Sequence, residues 1–257
     1  MGAGTGRMLD LSGKTALVTG GSRGLGFAIA DALAAQGAKV AICGRKQENL
    51  DRAVQELEAQ GHEVLARVAH MGKAEQVEAL FEALKPSFGH LDILVNNVGM
   101  NLFTPLVAEV EEGLWDKIME GNLKSAFLAS RQAVPWMKEQ GRGKIVNISS
   151  IAAQKAARGM GVYCVAKAGL EMFTRVLAQE SASDGICVNA VSLGMVRTDF
   201  SKPFWSNEGM LRELVAGIPM GRIAETEDVV GTVLYLCSSM SDYVTGEVIT
   251  VDGGSMA

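Results

Sequence analysis

The chain has few of the residues that disulfide scaffolds, metal centres and nucleic-acid grooves are built from. Its 257 residues include only 4 Cys and 3 His. Cys43, Cys164, Cys187 and Cys237 lie far apart and form no CxxC pair, so reduced thiols are expected, not a disulfide framework or a zinc site. His62, His70 and His90 show no ligand-like spacing. There is no surplus of positive charge: the formal net charge is −5, which argues against a basic nucleic-acid face. No apolar run approaches the roughly 18 residues of a membrane span. The first residues hold no hydrophobic signal core, and Ser255-Met256-Ala257 is not the peroxisomal Ser-Lys-Leu address, so a cytoplasmic protein is expected. Only 5 Pro accompany 30 Gly, a balance that suits tight turns in an ordered fold better than low complexity.

What is present is a chain able to pack a core, 48% hydrophobic and 21% charged. Residues 1–8 read as a flexible arm or a cloning remnant, and 9–257 as one domain. Strand-like runs alternate with helical patterns almost throughout. The expected strands are Lys14–Thr19, Lys39–Cys43, Glu63–Ala69, Asp92–Asn96, Lys144–Ser149, Ile186–Val191 and Glu247–Val251. Between them, helices are expected at Leu25–Gln36, Glu48–Gln60, Ala74–Leu84, Leu114–Glu139 (with a kink or break at Pro135), Val162–Glu180 and Glu227–Ser238. This βαβ rhythm, with no linker or composition break, predicts a single-domain α/β Rossmann fold. Such a fold is a doubly wound parallel sheet with helices on both faces.

The first strand-to-helix turn reads Thr19-Gly20-Gly21-Ser22-Arg23-Gly24-Leu25-Gly26. Small residues let a backbone approach a pyrophosphate, and a helix N-terminus supplies amide donors. The G-x-G-x-x-G spacing itself is not met, so from the turn alone a phosphate cradle and an ordinary tight turn stay equally open. The second strand ends Cys43-Gly44-Arg45-Lys46, without the carboxylate that would hold a ribose 2′-hydroxyl. Arg45 and Arg23 instead offer guanidinium forks suited to a 2′-phosphate. Tyr163 and Lys167 share a face one helical turn apart, and an ammonium near a phenol favours the phenolate. Ser150 ends the fifth strand, at the sheet edge where ligands of open α/β folds bind.

Together these residues resemble the short-chain dehydrogenase/reductase family over about Leu11–Gly254. The segments occur in the family's order: TGGSRGLG (19–26), NNVG (96–99), Asn122, Ser150, YCVAK (163–167) and Gly194-x-Val196-x-Thr198. The nearest look is to NADPH-dependent carbonyl reductases of the peroxisomal and tropinone-reductase-like kind. The resemblance implies Tyr163 as general acid/base, with Lys167 lowering its pKa and binding the nicotinamide ribose. It implies Ser150 as holder of the substrate oxygen, and Asn122 as holder of a water that links Lys167 to solvent. For NADP(H) it implies Gly20, Ser22, Arg23, Gly24, Leu25, Gly26 and Arg45 around the phosphates. His70 and Met71 fall near the adenine, and Asn97 and Gly99 on the adenosine and ribose side. Gly194, Val196 and Thr198 would meet the nicotinamide. It also implies a homotetramer with interfaces on helices 114–139 and 162–180 and on the C-terminal helix and tail.

Two departures stand out: His70 replaces a common Asp, and Leu193 replaces the usual Pro, which would loosen the following loop. The Tyr-x-x-x-Lys spacing disfavours the enoyl-reductase branch. Residues 198–220, with Phe200, Phe204, Trp205 and Met210, read as a substrate lid over an apolar ketone or aldehyde. The same side chains could equally pack in an interface or core, as could Met100, Phe103 and Met160. Alternatives are a 3-oxoacyl-carrier-protein reductase with a basic docking patch at Arg131, Lys138, Arg142 and Lys144, a gluconate-type sugar-acid dehydrogenase, or an NADP(H)-sensing protein without catalysis.

Overall fold

The computed structural model describes residues 9–100 and 102–257; the expected N-terminal arm lies outside the described residues. Seven strands, all parallel, form one sheet in the order β3-β2-β1-β4-β5-β6-β7. They are β1 (Thr15–Thr19), β2 (Lys39–Gly44), β3 (Val64–Val68), β4 (Ile93–Asn96), β5 (Gly143–Ser150), β6 (Ile186–Leu193) and β7 (Val248–Val251). The helices are α1 (Gly24–Ala35), α2 (Gln47–Ala59), α3 (Ala74–Phe88), α4 (Glu112–Met119), α5 (Ser125–Lys138), α6 (Gly161–Ser181), α7 (Lys202–Trp205), α8 (Glu208–Ala216) and α9 (Thr226–Cys237). The expected α/β fold is the one formed. Among the described residues no helix is long and apolar enough to cross a membrane.

Side chains alternate across each strand, so the apolar runs feed two cores. Ala16, Val18, Val40, Ile42, Ile93 and Val95 join α1, α2 and α9 through Ile29, Leu33, Leu50, Leu57 and Val229. Leu17, Ala41, Leu94 and Ile145 turn the other way, onto Leu80, Phe81, Leu84, Leu128 and Trp136 of α3 and α5. Chain order reverses between β1 and β4, which opens a crevice at their carboxyl ends.

Of the kink or break expected at Pro135, no break occurs: Pro135 sits inside α5, which runs on to Lys138, and the bond its missing N–H forfeits is the one to the preceding turn. The irregularity falls instead at Glu120–Lys124, a π turn joining α4 to α5. Leu193 also behaves differently from the expectation. It is paired with Ser150 on one side and Val251 on the other, so strand ladders hold it in place of a proline ring.

Candidate active site

The glycine turn is shaped by close approach. Gly20 and Gly24 have φ of +67° and +54°, a region favourable only to glycine. A Cβ on Gly21 would lie 2.5 Å from Ile42 Cγ2, and one on Gly26 would run into the Gly20 carbonyl and the Asn97 amide. Asn97 Nδ2 donates to the carbonyls of Thr19 at 3.0 Å and Gly20 at 3.3 Å, and its N–H donates to Thr19 Oγ1 at 3.0 Å. The Asn97 side chain therefore braces β4 against the turn, so any contact with the adenosine side comes from the surface it supports. Arg23 is the N-cap of α1 and makes no side-chain capping bond, which leaves the first-turn amides open to an anion. A Cβ on Gly44 would lie 3.2 Å from Ser22 Oγ. That packing sets the loop carrying Arg23 beside the strand end carrying Arg45. Both arginines are exposed, and Arg23 has only a loose partner, Asp199 at 4.0 Å.

After β3, His70 Nδ1 accepts from the Gly72 N–H at 3.2 Å, and Glu120 Oε1 lies 4.0 Å from the same nitrogen. The Met71 side chain is buried in the core, its Sδ 3.5 Å from Cys43 Sγ. A contact of Met71 with a ligand would therefore come from its backbone.

Tyr163, Lys167, Ser150 and Asn122 are brought together from three elements. Ser150 ends β5, and its Oγ accepts from the Ala152 N–H at 3.2 Å and acts on the Tyr163 hydroxyl to lower its pKa. Lys167 Nζ donates to the Ile148 carbonyl of β5 at 2.8 Å and lies 5.7 Å from the Tyr163 ring centroid. A Cβ on Gly99 would stand 3.4 Å from Asn122 Oδ1 and 3.8 Å from Lys167 Nζ, so the chain leaves a notch over the lysine. Asn122, presented by the π turn, receives the Met100 N–H on Oδ1 at 3.0 Å and donates from Nδ2 to the Met100 and Ile118 carbonyls at 2.7 and 2.8 Å. Both its side-chain donors are spent on bracing. A water linked to this side chain could therefore only donate to Oδ1.

Burial pushes Tyr163 up to about 12 despite the lowering effect of Ser150, and burial brings Lys167 down to about 8 against the raising effect of Glu171. Desolvation of the phenolate sets the direction of the tyrosine's shift, with Ser150 opposing it and Cys164 adding to it. Tyr163 therefore holds its proton at neutral pH, as an acid must before it donates.

The segment after β6 closes the crevice. A Cβ on Gly194 would touch Asp252 at 2.8 Å. Val196 is buried and its backbone bridges to Ala224. Thr198 Cβ lies 3.5 Å from where a Cβ on Gly24 would be, so this threonine stands over the glycine turn. Ser201, which no sequence motif flags, organises the corner. Its Oγ donates to the Val196 carbonyl and accepts from the Thr198 N–H at 3.1 Å and from Trp205 Nε1 at 2.9 Å. Trp205 stacks under Arg197 at 4.9 Å and so belongs to the wall. Phe103 and Phe204 meet at 5.0 Å, tying α7 to the loop after β4, while Phe200 and Met210 are exposed. Met160 packs with Ile118 and Tyr163 in a small third core.

Residues 20–256 match a family model described as enoyl-(acyl carrier protein) reductase. A rabbit (Oryctolagus cuniculus) protein named dehydrogenase/reductase SDR family member 4 is 39% identical over 253 residues, covering 98% of this chain and 97% of its own. A tropinone reductase homolog of Arabidopsis thaliana is 40% identical, over 97% of this chain and 95% of its own. Among solved structures, a gluconate 5-dehydrogenase from Burkholderia cenocepacia in complex with NADP and tartrate superposes with a TM-score of 0.92 at 29% identity. It covers 96% of this chain and 97% of the other.

Proposed function

The chain belongs to the short-chain dehydrogenase/reductase family, and on that premise we propose that it reduces an apolar ketone or aldehyde to an alcohol with NADPH. The observation that carries the reading is the buried Tyr163 phenol, with Ser150 acting on it from the end of β5 and a lysine anchored to the same strand 5.7 Å from its ring centroid. The crevice suits a dinucleotide: the turn carries no Cβ at Gly20, Gly21, Gly24 and Gly26, α1 has no side-chain cap, and Gly99 leaves a notch above Lys167 and Asn122. Arg23 and Arg45 would take the 2′-phosphate, since no carboxylate ends β2. Gly20, Ser22, Gly24, Leu25 and Gly26 would hold the pyrophosphate. Gly194, Val196 and Thr198 would meet the nicotinamide, and the His70–Met71 backbone the adenine.

NADPH, when bound, supplies the hydride that the carbonyl carbon receives. Ser150 and Tyr163 donate hydrogen bonds to the carbonyl oxygen and orient it. As negative charge develops there, the Tyr163 proton passes to that oxygen, completing the alcohol. The Lys167 ammonium stabilises the phenolate left behind. Asn122 keeps the loop at Met100 fixed beside this pair.

The Phe103–Phe204 contact and exposed Phe200 and Met210 support an apolar substrate. Phe127, Val165, Met172 and Val176 are exposed on α5 and α6, which supports a homotetramer joined there. The test is NADPH oxidation at 340 nm against aromatic ketones, steroid ketones, diketones, β-ketoacyl thioesters and keto-sugar acids. Turnover of the bulky apolar ketones is expected. Turnover confined to thioesters or sugar acids would replace this reading with an acyl-carrier or gluconate-type one.

A further inference from the structure

One buried carboxylate is left without a task in this mechanism. Glu171 lies on α6 one turn after Lys167 and is 3% exposed. Its Oε1 accepts from Ser149 Oγ at 3.1 Å and its Oε2 from Gln154 Nε2 at 3.2 Å. Both oxygens accept, which is the arrangement an ionised carboxylate offers. Ser149 immediately precedes Ser150 on β5, and Gln154 follows the short 3₁₀ turn that Ser150 opens. The two bonds therefore span the segment holding Ser150 and fasten it to the helix holding Tyr163 and Lys167.

Lys167 is 4% exposed, and a buried cation needs a compensating charge. Its surroundings offer one. The Ile148 carbonyl of β5 accepts from its Nζ at 2.8 Å, Asn122 of the π turn and Lys167 both face Gly99 of the loop after β4, and the Tyr163 ring of α6 lies 5.7 Å away, with Glu171 one turn further along that helix. Glu171 is buried on the same helix four residues on, and the two side chains bond to consecutive residues of β5, Lys167 to the Ile148 carbonyl and Glu171 to the Ser149 hydroxyl, although no direct ion pair joins them among the described residues; the Glu171 charge raises the Lys167 pKa.

We propose that Glu171 is a positioning residue of the site: its buried carboxylate is the counter-charge of Lys167 and clamps the strand end carrying Ser150 to the helix carrying Tyr163. This rests on the reading of Lys167 as the support of the Tyr163 phenolate. It differs from that reading in naming what keeps the lysine charged. Glu171→Gln preserves size and part of the hydrogen bonding but removes the charge, whereas Glu171→Asp preserves the charge.

The test follows Lys167 directly in the full-length protein, by the pH dependence of its trace acetylation with acetic anhydride, quantified by mass spectrometry. The pH profile of kcat/KM with NADPH is measured in parallel. In E171Q the midpoint of Lys167 labelling should fall by about one unit or more, the scale of a lost neighbouring charge, and the basic limb of kcat/KM should move with it. E171D should restore both. An unmoved labelling midpoint in a folded E171Q protein would overturn the proposal and leave Glu171 a structural clamp alone. Should E171Q not fold, Glu171→Met, which fills the space without a buried amide, decides by the same midpoint. Labelling needs no turnover, so failure of the reductase reading and failure of this proposal give different results.

Discussion

Reversing the charge at Arg45 should invert coenzyme preference. Arg45 follows the last residue of β2, is exposed, and has no carboxylate partner among the described residues, so its fork is free for a phosphate. Arg23 lies across the turn, held to Asp199 only at 4.0 Å with both side chains mostly exposed. A hydrogen bond to a charged group is worth about 1.5–3 kcal/mol. Losing it alone lowers kcat/KM for NADPH by roughly 10- to 150-fold, each 1.4 kcal/mol being a factor of ten. In Arg45→Asp the new carboxylate also repels the 2′-phosphate and can accept from a ribose 2′-hydroxyl. The NADPH-to-NADH ratio of kcat/KM should thus fall by more than about 10²-fold. Raised salt should weaken NADPH binding to the wild type and affect the variant less. A ratio that stays within threefold of wild type would refute the assignment of the 2′-phosphate to this corner.

In the direction of ketone reduction, kcat/KM should decline above pH about 8 as the lysine at position 167 loses the charge that supports the Tyr163 phenolate; a flat profile to pH 10 would contradict it. Burial raises Cys43 and Cys237 from 9.0 to about 12. The unfolded chain releases these protons first, so thermal stability should be full below pH 9 and fall progressively from there toward pH 12. Cys43→Ala should lessen that fall while lowering Tm at neutral pH through the cavity it leaves. Asp92 accepts from Lys14 Nζ, the Thr15 N–H and Arg142 Nε at 3.0–3.1 Å, and its carboxyl is held below the usual range although burial opposes this. Asp92→Asn should cost about 2–4 kcal/mol, read by chemical denaturation, and the wild type should lose stability as pH falls below the ordinary carboxylate value and through the depressed Asp92 value. Phe204→Ala should raise KM for bulky apolar ketones and leave a small aliphatic ketone nearly unchanged, because it removes one side of the Phe103 contact.

Local signals carried most of the architecture. Period-2 and period-3.6 patterns, with glycine stops, placed every strand and the main helices to within a few residues, because each element buries a face whose spacing is written in order along the chain. Tyr163, Lys167 and Ser150 were legible for the same reason: a helix turn and a strand end fix where they point. What escaped was set by contacts between distant segments. The π turn at Glu120–Lys124 has no composition signature, while Pro135 drew attention to the wrong place. Asn97 and Asn122 gave away their positions but not their bracing bonds to Gly20 and Met100. Met71 was named with its neighbour His70, and only the fold shows that its side chain turns into the core. Ser201 and Glu171 became visible only when β5, the post-β6 segment and α6 were seen together. The direction of the Tyr163 shift likewise needed the burial that the fold imposes.

The central claim is that Tyr163 delivers the proton. The direct measurement compares wild type and Tyr163→Phe, with NADPH binding followed by coenzyme fluorescence and turnover followed on a bulky apolar ketone. The account predicts turnover lower by about 10²–10⁴-fold, the usual yield of general acid catalysis, with NADPH affinity unchanged. Turnover retained within tenfold of the wild type, with the coenzyme equally well bound, would contradict it.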